Sequence, residues 1–330
     1  MPTVALDLLG GDGAPEIVAD AVALLLSGES PGEPVPELIV VGPPELARDM
    51  MTVRGVAHER VEVVAAGRAV GMDEDPLGVI RAHEDVSVTV AARLVARGRA
   101  DAWVSVGHTG AAVAAAVLEL GRLAGMSRPA LAVVVPALAG PVVLLDVGAA
   151  PDATPDLLRQ FAVAGCAYAE SLGICDPGVG LLTIGGEAGK GDRLRRSGHE
   201  LLEEVLPPRG VRYVGPVEGH DVALGRRAQV VVTDGFTGNV LLKGLEGAVQ
   251  WSAARIGQAY PDASPAWQVV VDTATSDFAG GMLLGVDGVT VVGHGAGTAE
   301  EIGACVRLAA RAATRSLVTR AAGALAGWSA

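Results

Sequence analysis

Short apolar runs alternate with amphipathic stretches along the whole chain. TVALDLL (3–9), ELIVVGP (37–43), RVEVVAAG (60–67), AWVSV (102–106), LAVVVPA (131–137), PVVLLDV (141–147), GVGLLTI (178–184), QVVVT (229–233) and VTVVGHG (289–295) read as strands. Most lead into a glycine-bearing turn and then a segment with helical spacing. Pro15 near a first turn, Thr154 followed by Pro155, and Thr298 with Glu301 as a capping box mark helix starts. Asp73, Glu74 and Asp75 precede Pro76 as a loop into a helix, and Ser87 to Ala96 reads as another. After QVVVTDGFTG, the residues Val240, Leu241, Leu242, Leu245 and Val249 are spaced for a helix that begins near Asn239. Residues 250–280 are the least regular, with helical pieces interrupted by Pro261 and Pro265. Repeated strand–turn–helix units predict a three-layer α/β/α fold around a mostly parallel sheet. The expectation is one α/β unit over 1–330, with a small helical subregion near 245–280.

Composition narrows the function classes. Half of the residues are hydrophobic but only 3% are aromatic, so Val, Ala and Leu must fill the core. The net charge of −13 argues against nucleic acid as a partner, because phosphate backbones are met with basic patches. Cys166, Cys175 and Cys305 lack C-x-x-C spacing, which predicts buried thiols in a reducing cytoplasm rather than disulfides or a metal site. No basic n-region precedes the first strand, so no signal peptide is expected. The uncharged stretch 130–145 is split by Pro136, Gly140 and Pro141 into two strands rather than a membrane span.

The candidate chemistry lies in the turns. In open parallel sheets, ligands sit beyond the carboxyl ends of the strands. Gly10, Gly11, Asp12 and Gly13 follow the first strand, and Gly107, His108, Thr109 and Gly110 follow the fourth. Gly185, Gly186, Gly189 and Gly191 surround Glu187 and Lys190. This loop carries its own cation, but Asp192 after Gly191 excludes a nucleotide P-loop. Glu218, Gly219, His220 and Asp221 form a further polar turn, and His294 lies in the last one. Asp234, Gly235, Thr237, Gly238 and Asn239 stand where a helix start would offer N–H groups to an anion, with Gly235 and Gly238 expected in conformations closed to other residues. Asp12 and Asp234 read equally well as caps or as groups that orient donors. Arg81 and His83 read either as ligand-facing or as a solvated face, and Ala111, Ala112, Ala114 and Ala115 permit close packing, including against a second subunit.

LGGDGAP (9–15), GHTGA (107–111), RPALAVVVP (128–136), GPVVLLDVGA (140–149), IGGEAGKG (184–191), VEGHD (217–221), DGFTGNVLLKGLEG (234–247) and GVDGVTVVGHG (285–295) together resemble the bacterial phosphate acyltransferase family of phospholipid synthesis. The resemblance implies an isocitrate/isopropylmalate dehydrogenase-like fold and a homodimer, cytoplasmic and peripheral at the membrane surface. It implies transfer of a fatty acyl group from acyl carrier protein to inorganic phosphate, with no metal and no nucleotide cofactor. A membrane glycerol-phosphate acyltransferase is a candidate further partner. Lys190 is the expected cation for phosphate or the developing oxyanion, Asn239 the oriented amide, and His108 the donor to the same oxygen or to the leaving thiolate. Asp12, Gly107, Thr109, Gly110, Glu187, Asp234, Gly235, Thr237, Gly238 and His294 complete the expected substrate-binding set. Relatives usually carry Asn where this chain has His108 and Ala150, and Lys where it has Val292; Ala82, His83 and Glu84 replace a Lys-rich stretch. The segment 250–280, a hydrophobic membrane-touching hairpin in relatives, reads as short and polar here. These departures motivate two alternatives: a phosphotransacylase using acyl-CoA or a specialised carrier, and a catalytically silent scaffold. A hydride-transferring dehydrogenase is disfavoured, since no GxGxxG is found.

Overall fold

The computed structural model describes residues 1–28, 35–187, 189–260, 262, 264–274 and 279–328. In chain order the elements are β1 (Thr3–Asp7), α1 (Glu16–Ser27), β2 (Glu37–Gly42), α2 (Pro44–Val53), β3 (Val61–Ala65), α3 (Pro76–Ala82), α4 (Ser87–Ala96), β4 (Ala102–Ser105), α5 (Thr109–Glu119), β5 (Ala130–Val135) and β6 (Val142–Leu145). There follow α6 (Pro155–Ser171), β7 (Val179–Leu182), α7 (Arg193–Val205), β8 (Tyr213–Val217), α8 (Gly219–Leu224), β9 (Val230–Val232), α9 (Gly235–Ala259), α10 (Ser264–Ala274), β10 (Gly281–Leu284), β11 (Val289–Val292), α11 (Ala299–Thr314) and α12 (Leu317–Ala326). Two compact units result: Met1–Leu123 with Ala279–Thr319, and Ala124–Phe278 with Arg320–Ala330.

In the first unit the strands run β3-β2-β1-β4-β11-β10, parallel except for β10, which is antiparallel to β11. Helices α4 and α11 pack on β1 and β4, α1 packs on α11, and α5 packs on α4. Val4, Ala5, Leu6 and Trp103 are fully buried, as expected where helices cover the strands and neither face meets water. Of the four alanines expected to permit close packing, Ala111, Ala112 and Ala115 are buried on α5 within this unit and Ala114 is half-buried.

In the second unit the order is β5-β6-β9-β7-β8, with β5 antiparallel to β6 and the rest parallel. Helix α6 packs on β6, β9 and α7, and buries Leu158, Phe161 and Tyr168. Cys166 and Cys305 are buried, which pushes both thiols up to about 12, while Cys175 is exposed.

The structure departs from the sequence pattern in several places. YVGPV forms β8 and GMLL forms β10, short runs that contain or adjoin glycine and do not announce strands. Helix α9 starts at Gly235 and continues through Gly244 and Gly247 to Ala259, well beyond the amphipathic stretch that suggested it. Helix α10 packs on α9, and this pair exposes Trp251, Ile256, Tyr260, Trp267 and Val269, so its surface is less polar than expected. Among the described residues, no helix is long and apolar enough to cross a membrane.

Candidate functional site

In the first unit, β1, β4 and β11 are parallel neighbours, so their carboxyl ends share one edge. Asp7 closes β1 and is buried. Its Oδ1 accepts from Leu9 N at 3.1 Å, its Oδ2 accepts from the Ser105 hydroxyl at 2.8 Å, and Ser105 Oγ accepts from Gly107 N at 3.3 Å. One carboxylate therefore links the two turns. The turns touch closely: a Cβ on Gly10 would lie 2.9 Å from Gly107 N. The Asp12 N–H donates to Gly295 O at 2.8 Å, which brings the turn beyond β11, with His294, against them. Asp12 itself is exposed and caps nothing; Pro15 holds the cap position of α1.

His108 caps α5. Its Nδ1 accepts from Ala111 N at 3.4 Å, so a neutral His108 carries its proton on Nε2 and is a donor there. Thr109 and Gly110 open α5, where backbone N–H groups lack intrahelical acceptors.

Burial pushes the Asp7 carboxyl above its usual range, and its hydrogen-bond donors reverse only part of that. The native chain therefore binds this proton more tightly than the unfolded chain. Stability falls as pH rises from the ordinary Asp value of about 3.9 through the raised native value. Asp7→Asn lacks that fall. In denaturant titrations across pH, the variant gains on the wild type through this window and holds its gain above it; parallel curves would contradict the assignment.

In the second unit the central group is Asp146, fully buried just beyond β6. Its Oδ1 accepts from Leu131 N at 2.8 Å and from Gly148 N and Ala149 N at 3.0 Å, while Oδ2 accepts from Ala150 N at 2.5 Å. Burial pushes its carboxyl up against these stabilising N–H groups. The first turn of α9 rests on this knot. Gly235 N donates to Ala150 O at 2.9 Å. A Cβ on Gly235 would lie 2.7 Å from Asp146 Oδ2, and one on Gly238 would lie 1.9 Å from Asp146 O. Both glycines belong to the helix and lack positive φ, so close approach, not an unusual conformation, explains them.

Asn239 also differs from expectation. Asp234 is the cap of α9, accepting from Thr237 N at 2.9 Å, and Asn239 lies in the second turn. Its Nδ2 donates to Val147 O at 3.0 Å, tying the helix to the Val147–Gly148 turn. One amide hydrogen is thereby used.

Lys190 follows β7, the parallel neighbour of β9. Gly189 and Gly191 take φ of 86° and 92°, which an L side chain resists, and the Lys190 stem folds across Gly185. Lys190 Nζ pairs with Glu187 Oε1 at 2.7 Å, with the Lys190 side chain half-exposed and that of Glu187 largely exposed. That ammonium holds the Glu187 carboxyl below its usual range. Lys243, further along α9, pairs with Glu246 at 2.9 Å. The turn at Glu218 is a short helix, α8, with a capping box between Glu218 and Asp221. Arg81 and His83 are exposed.

The structure thus clusters the turns of Asp12, Gly107–Gly110 and His294 in one unit. In the other it sets Asp234–Asn239 on the Asp146 knot, with the Lys190 loop at the next strand end. Asp7, Asp146 and Arg195 were not singled out by the sequence. For the two aspartates a signal existed: Asp7 is the last residue of β1 and Asp146 directly follows β6, and a glycine turn begins within three residues of each. Among the described residues no group of three or more His, Cys, Asp or Glu is placed to hold a metal ion.

A family model described as fatty acid synthesis protein matches residues 2–320. A phosphate acyltransferase of Desulfitobacterium hafniense is 40% identical over 319 residues, 93% of this chain and 92% of that relative. Among solved structures, a phosphotransacetylase from Streptococcus pyogenes superposes with a TM-score of 0.64 at 18% identity, covering 95% of this chain and 94% of that one. A 4-hydroxythreonine-4-phosphate dehydrogenase from Klebsiella pneumoniae gives 0.53 at 14% identity, covering 94% and 98%. These two likenesses establish the fold alone: a mostly parallel α/β sheet flanked by helices.

Proposed function

The chain belongs to the fatty acid synthesis protein family, and from that premise we propose that it moves a fatty acyl group from acyl carrier protein to inorganic phosphate, giving an acyl phosphate for phosphatidic acid synthesis. It is an enzyme of the phosphate acyltransferase class. The observation that carries the finer reading is the pairing of an ammonium loop and a helix N-terminus, Lys190 and Asp234–Asn239, on adjacent parallel strands β7 and β9.

Phosphate is already anionic and needs little activation as a nucleophile. It needs its charge neutralised, and the thioester oxygen needs donors that strengthen as negative charge develops there. In this reading a phosphate oxygen attacks the thioester carbonyl carbon, the C–S bond breaks, and the thiolate takes a proton. Lys190 supplies positive charge, exchanging its Glu187 partner for phosphate. Glu187, in turn, orients the loop when phosphate is absent. The first turn of α9, opened by Gly235, Thr237 and Gly238, supplies N–H groups and the positive end of a helix dipole. Asn239 has its remaining amide hydrogen as a donor, while Asp234 holds the turn by capping. In the first unit, His108 carries its Nε2–H as a donor on the edge beyond β4. Thr109, Gly110, Gly107 and the Asp12 and His294 turns supply further polar groups. The same proposal includes a homodimer in the cytoplasm, peripheral at the membrane, whose product passes to a membrane glycerol-phosphate acyltransferase.

The test is a comparison of thioester donors. Phosphate-dependent thiol release is expected to be fastest with acyl carrier protein thioesters. Preference for acyl-CoA would replace the carrier in the proposal, and tight carrier binding without turnover of any thioester would favour a silent scaffold.

A further inference from the structure

We infer that Arg195 is the positioning residue that holds the Lys190 loop in register with the first turn of α9. This deepens the phosphate reading and rests on it. Arg195 is buried on the first turn of α7, three residues after the loop's closing Asp192. Its guanidinium reaches both sides of the gap between the two strand ends. Nε donates to Leu182 O, the last residue of β7, at 3.3 Å, and Nη1 donates to Asp192 Oδ2 at 3.0 Å. Nη2 donates to Thr233 Oγ1 and Thr237 Oγ1, each at 2.9 Å, and pairs with Asp234 Oδ2. The Thr237 hydroxyl also donates to Asp234 at 2.8 Å.

One side chain therefore ties the end of the ammonium loop to the cap of the helix. Asp192 lies two residues from Lys190, and Thr237 two residues from Asn239. A planar fork of five N–H donors meets acceptors on both sides at once, whereas an ammonium is a single point with three hydrogens. The sequence gives no hint of this, since Arg195 sits in RLRRSG among other arginines of an amphipathic helix.

A role limited to stability would reduce the active fraction and leave the KM for phosphate unchanged. A positioning role moves that KM, because a small displacement of the ammonium relative to the helix end changes how phosphate is held. The experiment compares the wild type, Arg195→Lys and Asp192→Ser. It measures KM for inorganic phosphate and for the acyl thioester, together with amide hydrogen exchange of peptides covering 182–192 and 233–240. Ser keeps the cap of α7 but is too short to reach the guanidinium.

Arg195→Lys is expected to raise the phosphate KM by about 10- to 100-fold with the thioester KM unchanged, in line with the cost of misplacing a reacting group. Both peptides exchange faster. Asp192→Ser raises the phosphate KM less and speeds exchange only in 182–192. An unchanged phosphate KM in Arg195→Lys, or unchanged exchange in 182–192, overturns the inference. A wild type that shows no phosphate-dependent turnover defeats the phosphate reading instead, and the exchange data then decide alone whether Arg195 couples the two segments.

Discussion

Lys190→Ala lowers phosphate-dependent release of carrier thiol roughly 10²–10³-fold, the usual loss when one donor to a developing oxyanion is removed. The fold is unaffected. Lys190 is half-exposed, and its ion pair is with Glu187, itself largely in solvent, where such pairs add little to stability. The variant is therefore expected to keep the wild-type circular dichroism spectrum and melting temperature while the rate falls to background. Lys190→Arg restores charge but not the compact ammonium geometry, so partial recovery is expected. Steady-state assays of thiol release at saturating thioester and varied phosphate provide the measurement. Full activity of Lys190→Ala removes Lys190 from the mechanism.

Asp146→Ala costs stability on a different scale. The carboxylate satisfies four backbone N–H groups, of which those of Leu131 and Ala150 are in fully buried hydrogen bonds. Each buried donor left without a partner costs roughly 1–3 kcal/mol, so these two alone cost roughly 2–6 kcal/mol. A typical domain has about 5–15 kcal/mol in total. The damage also reaches the site, because Gly235 and Gly238 rest against Asp146. Asp146→Asn keeps one oxygen for Leu131, Gly148 and Ala149 but turns an N–H₂ toward the Ala150 N–H. It is expected to fall between the wild type and Asp146→Ala. Chemical denaturation of all three proteins gives the order directly, and an alanine variant as stable as the wild type would show that the knot contributes nothing.

Much of this architecture was legible in the sequence because parallel strands covered on both faces leave continuous apolar runs, and the turns after them are rich in glycine. The Thr298–Glu301 capping box was legible for the same local reason and is present as expected. What stayed hidden depends on residues far apart in the chain. Gly235 and Gly238 suggest backbone freedom when viewed locally; only the approach of Asp146 shows that they are needed for space. Arg195 meets Asp234 across 39 positions, and no periodicity reports such a pair. Asn239 appears at the start of a helix in the sequence because the apolar spacing begins there, whereas the Asp234 cap starts the helix earlier. The extent of α9 was hidden by Gly244 and Gly247, which lower helix propensity without ending the helix.

The central claim is that the glycine-turn edge with Lys190 transfers an acyl group onto inorganic phosphate. Hydroxylamine trapping tests it most directly, with purified protein, an acyl carrier protein thioester, and phosphate present or omitted. The predicted result is acyl hydroxamate that forms only with phosphate, in step with free carrier thiol. Thiol released equally without phosphate, or no hydroxamate from any thioester, would contradict it.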